Sequence, residues 1–205
     1  MKKILLALHN YKSEHGRFPP AVVYDPSGKP MHSWRVLILP YLGEHDLFDQ
    51  YDHSHAWDSP QNQKLRNAMP DVFRCPSHGH HGNELAEEYT NYVWVQSTNA
   101  ESEKTRSDDS MQNPQGRSIL LSEVNHRSVV WTSPNDMTDS EFLDAFANHE
   151  TSHEEITNHP GSLVVGFDDG SVRTLSAFTD IRTVSELLTG VDDISIDRSP
   201  KAVDQ

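Results

Sequence analysis

The sharpest chemical pattern in the chain is His149-Glu150-Thr151-Ser152-His153, an H-E-x-x-H string. On a helix, two histidines four residues apart share a face and bind zinc through their ring nitrogens, with the glutamate as general base toward a metal-bound water. His159 follows His153 by six residues, the third-ligand spacing of the metzincin pattern. The surrounding residues argue against a working site. Position 156 is Ile where that pattern needs a turning Gly, no methionine follows Met137 to form a Met-turn, and Pro160-Gly161 leaves His159 at a turn without a mooring. Because 13 His and 31 acidic residues produce such spacings by coincidence, a solvated polar helix is the plainer reading.

A second cluster, Cys75-Pro76-Ser77-His78-Gly79-His80-His81, gathers a thiol and three imidazoles that suit zinc or copper. A structural zinc site needs four ligands, usually from two separated pairs, and the chain has no second Cys. The His149 to His159 group would have to complete it across the fold, so a polar loop is again the plainer reading. Cys75 has no partner within the chain for a disulfide, and its place before Pro76 reads as buried packing rather than as an activated thiol. There is no G-x-S-x-G elbow, P-loop or G-x-G-x-x-G. The residues therefore predict no catalytic set and no cofactor. The zinc alternative rests on His149, Glu150, His153 and His159, or on Cys75, His78, His80 and His81. Trp34, Trp57, Trp94 and Trp131 read as core rather than as a carbohydrate platform.

The elements that would position these residues change character along the chain. Ile4, Leu8 and Tyr11, with Leu5 beside them, form a helical stripe over residues 2–15, stopped by Gly16 and Pro19-Pro20. Residues 21–32 read as loop. Ser33 caps a second helix through Tyr41, although Val36 to Leu39 reads equally as a buried strand and Pro40 interrupts both. Further helical pieces are expected over 44–51 and, opened by Pro60, over 61–68. The second half is strand-rich, with candidates at 91–96, 118–124 and 128–132. A hairpin is expected from 162–167 to 171–175 about Asp168-Asp169-Gly170. Residues 97–117 read as a long exposed loop, and Thr179 or Asp180 caps a last helix closed by Gly190. One domain over 1–190 and a flexible tail over 191–205 are expected.

Composition limits the function classes. The 205 residues carry 17 Lys+Arg against 31 Asp+Glu, a formal charge of -14, with a pI near 5.2. Nucleic-acid binding needs a basic surface that this balance does not supply, and docking on anionic lipid is disfavoured for the same reason. The charge is uneven, +4 over residues 1–40 and -18 over the remainder. Thirteen histidines make it conditional on pH, which suggests a metal- or pH-responsive surface as a further reading. Met1-Lys2-Lys3 and the five apolar residues after it imitate a secretory signal, but His9 and Asn10 end the run too early. The chain as written thus shows no export signal and no span of ~20 apolar residues.

Several segments together resemble one family. They are Ala7-Leu8-His9-Asn10-Tyr11, Gly16-Arg17-Phe18-Pro19-Pro20-Ala21, Ser33 to Leu42, Trp57-Asp58-Ser59-Pro60-Gln61-Asn62, Phe73-Arg74-Cys75-Pro76-Ser77 and Thr90-Asn91-Tyr92-Val93. Trp131-Thr132-Ser133-Pro134 and Phe167-Asp168-Asp169-Gly170-Ser171-Val172-Arg173 complete the series. Over about residues 1–190 the chain is similar to the domain-of-unknown-function family 1559, prepilin-like proteins akin to the pseudopilins of type II secretion. The resemblance implies an α+β, pilin-like fold, with an N-terminal helix packed on an antiparallel sheet, long polar loops and a C-terminal helix. It implies no known enzymatic activity or ligand, and protein partners that include self-assembly through the N-terminal helix. Full-length members place a cleavage and methylation segment and a long apolar helix ahead of the stretch matching Ile4 to Tyr11. Met1 falls inside the family match, so anchoring and a cell-surface or periplasmic location are expected only of a form that has the leader. The family also tends to carry a Cys just upstream, a partner for the one matched by Cys75. Residues 137–157 fall where the family varies, which makes the H-E-x-x-H string part of a linking loop.

Overall fold

The computed structural model of the chain describes residues 1–77, 87–98, 117–124, 129–148 and 161–190. The fold begins with helix α1, Lys2–His15, whose Ile4, Leu5, Ala7 and Leu8 are buried. Gly16 ends it in the left-handed conformation, and its N–H caps the Lys12 carbonyl, while Lys12 and His15 place positive charge at the negative end of the helix dipole. Residues 21–32 are not a loop throughout. Val22–Tyr24 (β1) and Pro30–Ser33 (β2) pair as an antiparallel hairpin. The turn signals were legible, but the carboxylate that closes them was not: Asp25 Oδ1 accepts from Ser27 N at 2.8 Å and from Lys29 N at 2.9 Å.

Ser33 caps the next helix as expected, its hydroxyl accepting from Arg35 N, but α2 covers only Trp34–Leu37. Pro40 converts the continuation into a 3-10 turn, Leu39–Leu42. His45–Gln50 forms α3, and α4 is the single turn Pro60–Gln63, capped by Ser59 and followed by a 3-10 turn at Arg66–Ala68. These short pieces pack as a cap over α1 and the sheet.

That sheet contains Tyr92–Gln96 (β4), Ile119–Glu123 (β5), Met137–Thr138 (β7), Ser162–Phe167 (β8) and Val172–Ser176 (β9) in the order β7-β4-β5-β8-β9. The β4–β5, β5–β8 and β8–β9 pairs are antiparallel, whereas β7 lies parallel to β4. A separate two-stranded pair joins Tyr89–Thr90 (β3) to Val129–Val130 (β6). The expected hairpin is present, with Gly170 at φ 82° and Gly170 N bonded to Phe167 O.

Strand periodicity sorts the apolar residues into two cores on opposite faces of the sheet. Tyr92 and Trp94 join α1 and the capping pieces on one face, while Val93 and Val95 join the other. In β5 a register shift between Ile119 and Leu121 moves the strand's parity, so Ile119 faces one core and Leu120 and Leu121 the other.

Two helices cover the second face. Asp180 caps Ile181–Thr189 (α6), with Gly190 in the left-handed conformation at its end, as expected. The other, α5 over Asp139–Asn148, replaces the linking loop expected across 137–157 up to residue 148. Its start signal is a capping box: Glu141 Oε2 accepts from Thr138 N at 2.8 Å, and Thr138 Oγ1 accepts from Glu141 N at 3.2 Å. Phe142 and Phe146, one turn apart, bury its inner face. The expected tail at 191–205 and most of the expected loop at 97–117 lie outside the described residues.

The seating of α1 depends on an absent side chain. A Cβ at Gly166 in β8 would stand 3.0 Å from Leu5 Cδ1 and 3.1 Å from Met1 Sδ. Gly166→Ala is expected to lower stability by about 1–3 kcal/mol through overpacking, read as a shifted midpoint in urea unfolding, whereas Thr174→Ala on the exposed edge strand is expected to change it by less than about 0.5 kcal/mol.

Candidate functional site

The sequence-predicted metal ligands His149, Glu150, His153 and His159, and likewise His78, His80 and His81, lie outside the described residues. Cys75 lies within them. It is 3% exposed, buried as its place before Pro76 suggested, and is in no disulfide among the described residues. Its backbone N–H donates to Asn91 Oδ1 at 2.8 Å. The Tyr92 phenol beside it is pushed up from its ordinary pKa by burial, by the charges at Cys75 and Glu123 and by a hydrogen bond with the thiol. Met1 closes this corner. Burial pulls its α-ammonium below the usual amine value, while Glu123 and Cys75 oppose that shift.

The strongest polar feature is buried at the centre. Arg35 and Asp136 are fully buried and form an ion pair through Nη2 and Oδ1. Asp136 Oδ2 accepts from the Trp34 indole at 2.8 Å, and Oδ1 accepts from Trp94 N at 3.1 Å. Arg35 Nη2 donates to Tyr92 O at 2.7 Å, its Nη1 to Ser33 Oγ at 2.9 Å, and its guanidinium lies 4.6 Å from the Trp34 ring. Burial pushes the Asp136 carboxyl up, and Arg35, Trp94 N–H and the Trp34 indole pull it back. Arg35, the Trp34 indole and Trp94 N–H all donate to the carboxyl, a geometry that suits the carboxylate. The pair ties α2 to the strand β4 and to the segment before β7; it faces no solvent and is architectural.

The other motif residues are also spent on folding. Asn62, fully buried, accepts from Asp52 N and donates to Asp52 O, His55 O and Ala56 O, holding the 52–56 turn closed. Asn91 bridges Cys75 N and Val124 O. Asp168 accepts from Ser118 N and Ser118 Oγ, fastening the β8–β9 turn to the start of β5. Trp34, Trp94 and Trp131 are core, as expected, while Trp57 is half-buried beneath the Arg66 guanidinium.

Asp52, Ser54 and His55 have the residue types of a hydrolytic triad. Ser54 Oγ and Asp52 Oδ2 both approach the same ring nitrogen, His55 Nδ1, at 3.0 and 2.8 Å. A relay needs the serine on one nitrogen and the carboxylate on the other, so this is a turn motif rather than a nucleophile.

A surface candidate remains on α1. Leu6 is 63% exposed on a helix whose neighbouring Ile4, Leu5, Ala7 and Leu8 are at most 1% exposed. One turn before it and beside it stand exposed Lys2 and Lys3, and Asn10 follows one turn later. Helical periodicity signalled the buried stripe; the apolar residue opposite it was visible in the sequence but was grouped with the run around it. At the far end, Tyr41 donates to Glu14 at 2.9 Å and meets His15 Nε2 at 3.0 Å, which ties α1 to the 3-10 turn. The Tyr41 phenol is pushed up to about 12, first by desolvation and then by Glu14. No helix among the described residues is long and apolar enough to cross a membrane.

The family model described as Protein of unknown function (DUF1559) matches residues 1–123, more than half of the chain. The motifs at Trp131 to Pro134 and Phe167 to Arg173 lie beyond the matched span. No curated protein and no solved structure matches.

Removing one partner of a buried pair leaves the other charged and unpaired. Asp136→Ala is expected to cost about 3–5 kcal/mol in urea unfolding, and Asn62→Ala about 2–4 kcal/mol through a stripped set of carbonyls. His55→Ala, which removes exposed side-chain contacts with Asp52 and Ser54, is expected to leave the unfolding midpoint essentially unchanged.

Proposed function

The chain belongs to the DUF1559 family, and from that premise we propose that it is a non-enzymatic, pilin- or pseudopilin-like domain. It acts through protein–protein contact in a cell-surface or secretion-related assembly, with the outward face of α1 as the contact. The single observation that carries this reading is Leu6, 63% exposed in the middle of a helix whose other face is sealed into the core. A helix that only covered a sheet would need apolar residues on one side alone.

Three further features support it. Leu5 and Met1 pack against the bare backbone of Gly166, and His15 and Glu14 fasten the opposite end to Tyr41, so α1 presents its outer face on a fixed base. The first 40 residues carry a net +4 against -18 in the remainder, a charge asymmetry that suits contact between copies of the chain. The polar motif residues Asn62, Asn91, Asp168 and the Arg35–Asp136 pair all serve the fold. Together they describe a presentation scaffold, whose work is to hold a helix face in place.

The test extends α1 and then spoils its face. Placing an apolar helix of ~20 residues ahead of Lys2 is expected to drive concentration-dependent assembly in sedimentation velocity. Leu6→Glu is then expected to weaken that assembly at least about tenfold, ~1.4 kcal/mol, while urea stability stays within about 0.5 kcal/mol. Assembly that ignores Leu6→Glu, or that is the same with and without the added helix, would overturn the proposal.

A further inference from the structure

The β1–β2 hairpin and the segment 51–58 meet through one buried histidine. His32, on β2, is 5% exposed. Its Nε2 lies 3.0 Å from the carbonyl oxygen of His53, which can only accept, so this nitrogen carries the ring proton. Nδ1 is therefore the lone pair, and it accepts from the Tyr51 hydroxyl at 3.1 Å. Tyr51 is itself 3% exposed. A third bond, from Trp57 N to Met31 O at 2.8 Å, closes the far end of the contact. Asn62 holds residues 52–56 as one turn, so the segment is fastened or released as a unit.

We propose that His32 is the catch of a pH-sensitive clasp, which fastens segment 51–58 to the hairpin at neutral pH and releases it in mild acid. The reason is donor counting. A proton added at Nδ1 faces the Tyr51 hydroxyl, whose own hydrogen then loses its acceptor within a buried contact. Burial holds the His32 ring below the ordinary histidine value, with the His53 ring adding to that shift and the His53 carbonyl and Asp52 opposing it. His53 packs its ring 5.8 Å from that of His32, so protonating both sets like charges side by side. Asp52 is the one carboxylate acting on both rings, and it is already engaged by Ser54 and His55. Burial first, and then Asp58 and Asp52, keep the Tyr51 phenol protonated. The bonds of Asn62 to residues 52–56 involve neither His32 nor Tyr51, so the turn keeps its shape as the catch opens.

The sign follows from the lowered value. A histidine whose folded pKa lies below its unfolded one favours the neutral form, so its contribution is complete above about pH 6.5 and declines as pH falls through the folded value. The clasp is independent of the assembly reading, since it needs no partner.

Hydrogen exchange on the full chain tests it, comparing about pH 7.5 with about pH 5.5, on either side of the ordinary histidine value. After correction for intrinsic rates, the amide of Trp57, bonded across the contact to Met31 O, is expected to lose at least tenfold in protection at the lower pH, while that of Asp52, bonded to Asn62 within the turn, and those of Leu121 and Val165 keep theirs. His32→Gln supplies the same donor to His53 and the same acceptor to Tyr51 without a titrating ring, so it is expected to hold protection at both pH values. Unchanged protection in the wild type, or a loss that persists in His32→Gln, would overturn the clasp. If that variant fails to fold, the ring titration of His32 in the wild type decides. A midpoint that coincides with the loss of protection supports the clasp, and a ring still neutral after the segment has opened overturns it.

Discussion

The fold is organised around a charge that has nowhere else to go. Arg35 is fully buried, and its guanidinium is satisfied only because Asp136, Tyr92 O and Ser33 Oγ converge on it from three different parts of the chain. Taking two such groups out of water costs several kcal/mol each, and a hydrophobic pair of similar volume would serve stability as well or better. What the pair adds is an address. Asp136 also binds Trp34 and Trp94 N, so α2, β4 and the approach to β7 share one permitted arrangement. The aromatic rings follow from it: Trp34 meets both Trp94 and Phe73, and Phe73 stacks on Trp131.

The sheet turns this node into a two-sided structure. Residues of β4 alternate between the cores, and the parity shift in β5 lets Leu120 and Leu121 both serve the α1 side. Each face then needs its own cover. On one side α1 and the capping pieces supply it, and on the other α5 and α6 do. The polar motifs lie along the seams, where side-chain amides and carboxylates stand in for a backbone ladder: Asn62 in the 52–56 turn, Asn91 between Cys75 and Val124, Asp168 at the β8–β9 turn.

Elements whose signals are local were readable from sequence. The α1 stripe ending at Gly16, the Ser33 and Asp180 caps, the helix start at Pro60 and the Asp168-Asp169-Gly170 hairpin all rest on residues within a few positions of one another. The misreadings have equally specific causes. Residues 21–32 looked like loop because their strands are three and four residues long and their turn is closed by a side chain, Asp25. α5 was hidden because its capping box, Thr138 to Glu141, sits in a polar stretch beside the more conspicuous H-E-x-x-H string. The α1 face was legible only in part: periodicity marks Leu6 as apolar, but only packing shows it left outside. Arg35 with Asp136 was not legible at all, since a pairing across a hundred residues leaves no local trace.

Gly166 and Gly170 place two positions without side chains beneath one row of α1. Leu5 and Met1 approach the first, and His9 Nε2 stands 3.2 Å from where a Cβ would lie on the second. At these two points the helix meets backbone, while elsewhere its buried residues meet the side chains of the first core. The approach of α1 to the sheet is set at these points by the β8–β9 hairpin, and β8 is itself held on both sides, by β5 and β9. A side chain at either glycine would have to lift the first helix off the hairpin or displace Leu5, Met1 or His9 to fit.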